Sequence, residues 1–408
     1  ELPRGLTSID CWLHFTHLTC HEPFKELPRS LTKLSVRPPP SPIVPEVFAL
    51  LPSTLESFTF YLSDNTVLSS FVELPRSLTR LSIQNCPPSV GNDNLWSELP
   101  PQLQHLSLLG LQRMAATGLA QLPRSLLSLR LPTVDIPIAR LHDLPRELRD
   151  LRVGGLHCDP NARRANESLL GMPRTLTVLH AGVCRNLMSW MYADLPESIL
   201  ELSISKPDFV SQATRPPSAG ANALEVAPPV DPRELEEGLG GSMRIRGGGR
   251  EEGRNKGTSE PPETASTSSC PPPLGVFSCL PPNLTKLAIF TLTLKSEDIE
   301  SLPRSLTDLS VLPRLYPSDC DSSAINTALP PNLLMLCTAL PSEMSADFCK
   351  TLPRTIRHLS GMLPTSFAGN HCFELLPPDL ISVATLNPRI RQEYWEWRSY
   401  QHLLSRYQ

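Results

Sequence analysis

Apolar residues recur along this chain at fixed distances from a Leu-Pro pair, in one copy a Met-Pro pair. The anchors are Leu2, Leu27, Leu51, Leu74, Leu99, Leu122, Leu144, Met172, Leu195, Leu280, Leu302, Leu329, Leu352 and Leu376. Four residues on, every copy has Leu or Ile, and seven on every copy is apolar, from Ile9, Leu34, Phe58 and Leu81 to Leu359 and Val383. Nine on stand Cys11, Val36, Phe60, Ile83, Leu108, Leu131, Val153, Ala181, Ile204, Ile289 and Val311, giving way to Thr338, Gly361 and Thr385. The last two positions differ by two, the strand period, so both side chains fall on one face. Anchors lie 22 to 28 residues apart, except for one interval of 85 between Leu195 and Leu280. Such a period predicts a solenoid, in which each unit buries its apolar face only against its neighbours.

Each repeat then reads as an extended approach set by the proline, a short strand stacked in parallel on its neighbours, and a return segment of about ten to fifteen residues. Helical patterns in the return segments cover 113–121, 161–170, 185–193, 296–301 with Ser296 as a cap before Glu297, and 342–350. The interval 206–279 breaks the pattern: it is rich in Gly, Arg, Glu, Pro and Ser, with little to bury, and is expected to be a disordered loop inserted between two strands. An Arg-Gly segment that contacts RNA and retained non-coding sequence are the other readings of that stretch. The tail from 388 places Ile390, Tyr394, Trp397, Gln401 and Leu404 at helical spacing, as a capping helix would. The expected organisation is therefore repeats over 1–205, an inserted loop over 206–279, repeats over 280–387, and a cap over 388–408. Glu1 falls inside a repeat, so an N-terminal cap is expected to precede it.

Between the strand's two inward residues the lane is small in most copies: Ser35, Thr59, Ser82, Ser107, Ser203, Ala288, Ser310 and Ser360. The lane before it is mixed in charge, with Lys33, Arg80, His105, Asp150, Glu201, Lys286, Asp308 and His358. A third lane runs Phe290, Leu312, Ala339, Met362 and Leu386, an apolar stripe where solvent is expected, and these five are the candidate partner-binding residues. Along the strand approach, Arg4, Arg29, Arg76, Arg124, Arg146, Arg174, Arg304 and Arg354 follow the proline, and Glu1, Glu26, Glu73, Glu98, Asp143 and Asp194 precede the leucine. Stacking would set these rows side by side as a neutralised edge.

The segment Leu78-Thr79-Arg80-Leu81-Ser82-Ile83-Gln84-Asn85-Cys86 resembles the LxxLxLxxN/C core of a leucine-rich repeat. Its preceding Leu74-Pro75-Arg76-Ser77 is similar to the LP-type repeats of bacterial effectors and to the FNIP-like repeats of slime moulds. The resemblance implies an α/β solenoid, a curved horseshoe with a parallel β-sheet on the concave face and short helices, turns or extended segments on the convex face. It also implies a non-enzymatic scaffold that binds a protein partner on the concave face. The alternatives are the substrate-recognition part of a ubiquitin ligase or other multidomain regulator, and a secreted or surface recognition protein. Only Cys86 and Cys184 fit the Asn/Cys turn position, while Pro39, Pro207, Pro341, Pro364 and Pro388 occupy other copies, so a regular Asn ladder is not expected.

Composition adds limits. A net charge of −4 argues against a general nucleic-acid or polybasic membrane surface. No run of 18 apolar residues exists to span a bilayer. Eleven cysteines without CxxC pairs point to reduced thiols, hence a cytosolic or nuclear compartment, rather than to a disulfide framework or a zinc site. No phosphate loop, HExxH or GxSxG occurs, so no cofactor, metal or catalytic residue is expected. Limited proteolysis is expected to cut first within 206–279 and to leave two fragments that stay associated; cleavage spread evenly over the repeats is the contrary result.

Overall fold

The structure, a computed structural model, describes residues 3–11, 22–36, 45–62, 70–86, 93–112, 114, 117–158, 168–185, 189–207, 276–293, 296–314, 326–338, 346–361 and 372–385. Most of the expected insertion and the whole expected capping helix lie outside these residues. Each apolar triad yields one strand: β1 Ser8–Cys11, β2 Lys33–Val36, β3 Ser57–Tyr61, β4 Arg80–Gln84, β5 His105–Leu108, β6 Ser128–Pro137 and β7 Asp150–His157. The series continues with β8 Val178–Arg185, β9 Glu201–Pro207, β10 Lys286–Thr293, β11 Asp308–Arg314, β12 Met335–Thr338, β13 His358–Gly361 and β14 Ser382–Thr385. They form one 14-stranded sheet in chain order, parallel throughout, curved and unclosed. The register keeps the offsets of the sequence, with Phe58 beside Leu81, Leu81 beside Leu106 and Leu106 beside Leu129.

The approach to each strand departs from the extended reading. The residue before proline is extended, as at Leu122 (φ −59°, ψ 143°) and Leu144 (φ −62°, ψ 147°), because the proline ring excludes helical backbone there. The two residues after the proline turn, and the next leucine closes the turn on the proline carbonyl: Leu31 N donates to Pro28 O at 3.1 Å, and Leu103 N to Pro100 O at 3.0 Å. Proline lacks an N–H but keeps its carbonyl, which makes it a good first residue for such a turn.

Directly after the turn, two successive amides donate to one carbonyl of the preceding repeat. Gln104 N and His105 N reach Thr79 O at 2.8 and 3.0 Å, and Thr32 N and Lys33 N reach Thr7 O at 2.9 and 3.1 Å. A hydroxyl three residues after the anchor adds a second tie: Ser125 Oγ donates to Pro101 O and Leu103 O, both at 2.7 Å, and Thr54, Thr175, Ser198, Ser305 and Thr355 repeat the motif. The long interval does not disturb it. Thr285 N and Lys286 N both reach Leu200 O at 2.9 Å, and β10 pairs with β9 with Lys286 beside Glu201 and Ile289 beside Ile204.

Inward side chains make one continuous core. Leu81, Leu106, Leu151 and Leu202 are all buried, and on β3 the inward Phe58 and Phe60 pack with Phe48 of the return segment, ring centroids 4.8 to 6.4 Å apart. The described parts of the return segments carry short helices, an α-turn at Gly118–Gln121 and a 3-10 turn at Leu169–Gly171, the latter begun by Ser168, whose hydroxyl accepts from Leu170 N; 113, 115–116 and 161–167 of the expected helices lie outside the described residues. Ser189–Asp194 is also 3-10, whereas Ser296–Glu300 and Ala346–Thr351 are α-helical, with Ser296 as the first helical residue. Such short returns can supply only a turn or two of helix before the next strand must begin.

Among the described residues no ion pair joins the Arg and acid rows. Arg124 and Arg354 instead reach backbone carbonyls of the next repeat, at Asp143 O and at Leu375 O and Leu376 O. The Glu98 carboxylate accepts from Ser70 Oγ and Phe71 N, each at 2.7 Å, and Asp194 accepts from Ser168 Oγ at 2.6 Å. Backbone groups exposed at turn ends are closer and better aimed partners than side chains one repeat away. Next to the Asn/Cys position, which Cys86 occupies, Asn85 sits at φ 58° and donates from Nδ2 to Leu62 O at 2.9 Å.

Truncating Leu81 or Leu106 to Ala is expected to lower stability by about 2–5 kcal/mol, while Arg80→Ala, on the outer face, changes it by about 0.5 or less. Ser125→Ala, which strips two carbonyls of a donor, should cost about 1–3 kcal/mol. Urea unfolding followed by circular dichroism measures all four.

Candidate interaction face

Residues between the inward positions project from the other face of the sheet, and the register arranges them in lanes. The first lane reads Ser57, Arg80, His105, Ser128, Asp150, Val178, Glu201, Lys286 and Asp308 across β3 to β11. The second is small at Ser35, Thr59, Ser82 and Ser107, then becomes Arg130, Arg152 and His180, and returns to Ser203, Ala288 and Ser310. The sequence reading passed over those three because it took the lane by its commonest residue. The signal was there, since each lies eight residues after its anchor in three consecutive repeats.

Asp150 organises the middle of this face. It accepts from Arg152 Nε at 3.0 Å, from Arg130 Nη2 at 3.2 Å and from Ser128 Oγ at 3.1 Å. Desolvation pushes its carboxyl up, but the hydrogen bonds and charge of Arg152, with those from Arg130 and Ser128, outweigh it and hold the group below the usual carboxylate range. One strand further on, His180 Nε2 lies 2.8 Å from Glu201 Oε1, and Lys286 Nζ lies 4.0 Å from Glu201 Oε2. On the near side, His105 is held below the ordinary imidazole value by desolvation and then by the positive charges of Arg80 and Arg130, with Asp150 opposing.

A hollow of about 440 Å³ opens over β3 to β6 between these groups. Arg80, His105 and Arg130 line it together with the hydroxyls of Ser57, Thr59, Ser82, Ser107 and Ser128, and among the described residues no carboxylate lines it. Its chemistry is that of hydrogen-bond donation. Among the described residues no three His, Cys, Asp or Glu side chains group as metal ligands would, and no helix is long and apolar enough to cross a membrane. The Cys86 thiol is buried, which pushes its pKa up to about 12, so it is no nucleophile at neutral pH.

Of the five apolar candidates, Phe290 and Leu312 stand side by side in register on the outer face of β10 and β11, both half-buried, where the pairing shifts between Phe290 and Leu292. Ala339, Met362 and Leu386 lie outside the described residues. Met335, 40% exposed between Asp308 and His358 in the first lane, is an apolar neighbour the sequence reading did not single out.

No family model matches the sequence, and no curated protein matches it. Solved structures of similar fold include CroV588, described as a circular leucine-rich-repeat protein (17% identity, TM-score 0.44, covering 88% of this chain). This chain spans 41% of the length of that protein. The leucine-rich-repeat protein LegL7 from Legionella pneumophila is 15% identical with a TM-score of 0.34, over 72% of this chain and 86% of its own. An internalin, inlF, from Listeria monocytogenes is 13% identical with a TM-score of 0.44, over 90% of this chain and 85% of its own. One strand per period, parallel and in register through fourteen copies, fixes the architecture. The fold is a leucine-rich-repeat solenoid.

The titrating groups on the outer face of this solenoid give it a definite response to acid. A His held below its ordinary 6.5 opposes folding once protonated, so His105 removes stability as pH falls through that value. The Asp150 contribution is present above its ordinary 3.8 and is lost as pH falls through its lower folded value. His105→Gln is therefore expected to flatten the decline in melting temperature between about pH 7 and 5, and Asp150→Asn the decline below about pH 4, while lowering stability at neutral pH by about 1 kcal/mol. Melting curves across pH read both.

Proposed function

We propose that this solenoid is a non-enzymatic interaction scaffold that binds a protein partner on the concave, outer face of its sheet. The observation that carries the reading is the make-up of that face. A polar field from Arg80 to Lys286 runs into an apolar pair, Phe290 and Leu312, all on strands held in one register. A rigid array of this kind matches what interfaces use, a few large apolar anchors that supply affinity beside charges that supply orientation. The core demands none of these side chains, because the inward lanes already fill it.

Immobilised chain should retain a partner from cell extract, and Phe290→Ala should weaken that retention by more than about 1 kcal/mol, roughly fivefold, with an unchanged melting temperature. Glu197→Ala, at an exposed turn, serves as control. A fall in melting temperature with retention intact would assign Phe290 to packing and remove the apolar pair from the reading.

A further inference from the structure

The hollow over β3 to β6 has a donor set that the scaffold reading alone does not require. Arg80 on β4 and Arg130 on β6 flank His105 on β5, and neighbouring strands in a sheet lie about 4.8 Å apart, so one group seated above His105 is within reach of both guanidiniums. Arg130 is already aimed by Asp150 through one nitrogen, which leaves its other N–H groups to donate elsewhere. No ion pair or side-chain hydrogen bond engages the Arg80 guanidinium among the described residues, and the hydroxyls of Thr59, Ser82 and Ser107 on the floor are in the same condition. Two guanidiniums, an imidazole and three hydroxyls thus converge on a space that no carboxylate of the described residues lines.

We propose that this hollow receives a phosphorylated serine or threonine side chain on an extended segment of the protein partner. The proposal rests on the scaffold reading and names the chemistry of the partner. A carboxylate has two oxygens in one plane and is satisfied by a single guanidinium fork. A phosphate monoester carries about −1.5 to −2 charge and three acceptor oxygens spread in space, which fits donors arriving from three strands and a floor. The hollow, at about 440 Å³, exceeds what a lone anion fills and leaves room for flanking residues. His105, charge-neutral beside two guanidiniums, gains a partner when the dianion arrives, so occupancy favours its protonated form and takes up a proton.

The test uses the full chain and fluorescein-labelled peptide pools of degenerate sequence around a fixed phosphothreonine, threonine or glutamate, read by polarisation. The phosphothreonine pool should bind at least about tenfold tighter than either other pool. Arg80→Gln and Arg130→Gln should each remove about tenfold, Arg80→Lys should keep part of the binding, and Asp150→Asn, by freeing Arg130, should strengthen it. Binding should also tighten as pH falls from about 7.5 to 6.5, and His105→Gln should abolish that dependence. Melting curves confirm that each variant is folded, and Arg80→Gln, exposed and unpaired, carries the test if Arg130→Gln is not.

Equal binding of the three pools overturns the proposal. So does a single-stranded oligonucleotide that binds as tightly as the phosphothreonine pool with the same loss in Arg80→Gln, which assigns the hollow to a nucleic-acid backbone. Partner retention that falls with Phe290→Ala but not with Arg80→Gln leaves the scaffold reading standing and removes this site from it. Retention that ignores both substitutions removes the scaffold reading of the face, whatever the peptides do.

Discussion

One backbone carbonyl per repeat, shared by two amides of the next repeat and in most repeats reinforced by a hydroxyl from the same turn, sets the spacing of the whole molecule. Gln104 O, for example, receives both Leu127 N and Ser128 N, and Ser125 Oγ of the same turn closes on Pro101 O and Leu103 O. Buried backbone groups left unpaired are costly, so a repeat that missed this contact would lose more than a single bond. With the contact made, the strand that follows has no freedom of register. Its inward residues meet the inward residues of the previous strand, and everything between them is delivered to the outer face.

That logic explains which parts of the structure the sequence announces. Offsets of four, seven and nine from the anchor are properties of a single repeat, and they translate directly into the buried column from Leu81 through Leu106 to Leu202. The turn after proline was less legible, because the rule about residues preceding proline speaks of Leu122 and not of the two residues that follow Pro123. The hydroxyl tie escaped notice for another reason. Ser125 is visible in the sequence, but its acceptors belong to another repeat, and nothing in one copy says which carbonyls will face it. The same holds for the Arg and acid rows, whose side chains found nearer partners in the backbone than in each other.

The outer face was the hardest part to anticipate. A lane dominated by serine suggests spacing, and Arg130, Arg152 and His180 look like exceptions until the register sets them beside Asp150 and Glu201. Solvent-facing positions bear no packing constraint, so neither periodicity nor propensity predicts them. The pair Phe290 and Leu312 was legible for the opposite reason, since large apolar residues at outward positions contradict the pattern and stand out.

The intervals between anchors vary while the register of the inward positions does not, and this divides the chain into two regimes. Differences in length, from 22 residues to 28 and once to 85, all fall between the ninth position of one repeat and the anchor of the next, so the inward pairs stay in step, as Ile289 beside Ile204 does across the longest interval. Insertions and deletions there leave the spacing of Arg80, His105 and Arg130 untouched, whereas a single residue gained inside a strand would exchange the buried lane for the exposed one. The two surfaces of the solenoid can therefore drift at different rates. The back tolerates rewriting by whole segments, and the front changes only by substitution, one side chain at a time, on a grid whose pitch is already set.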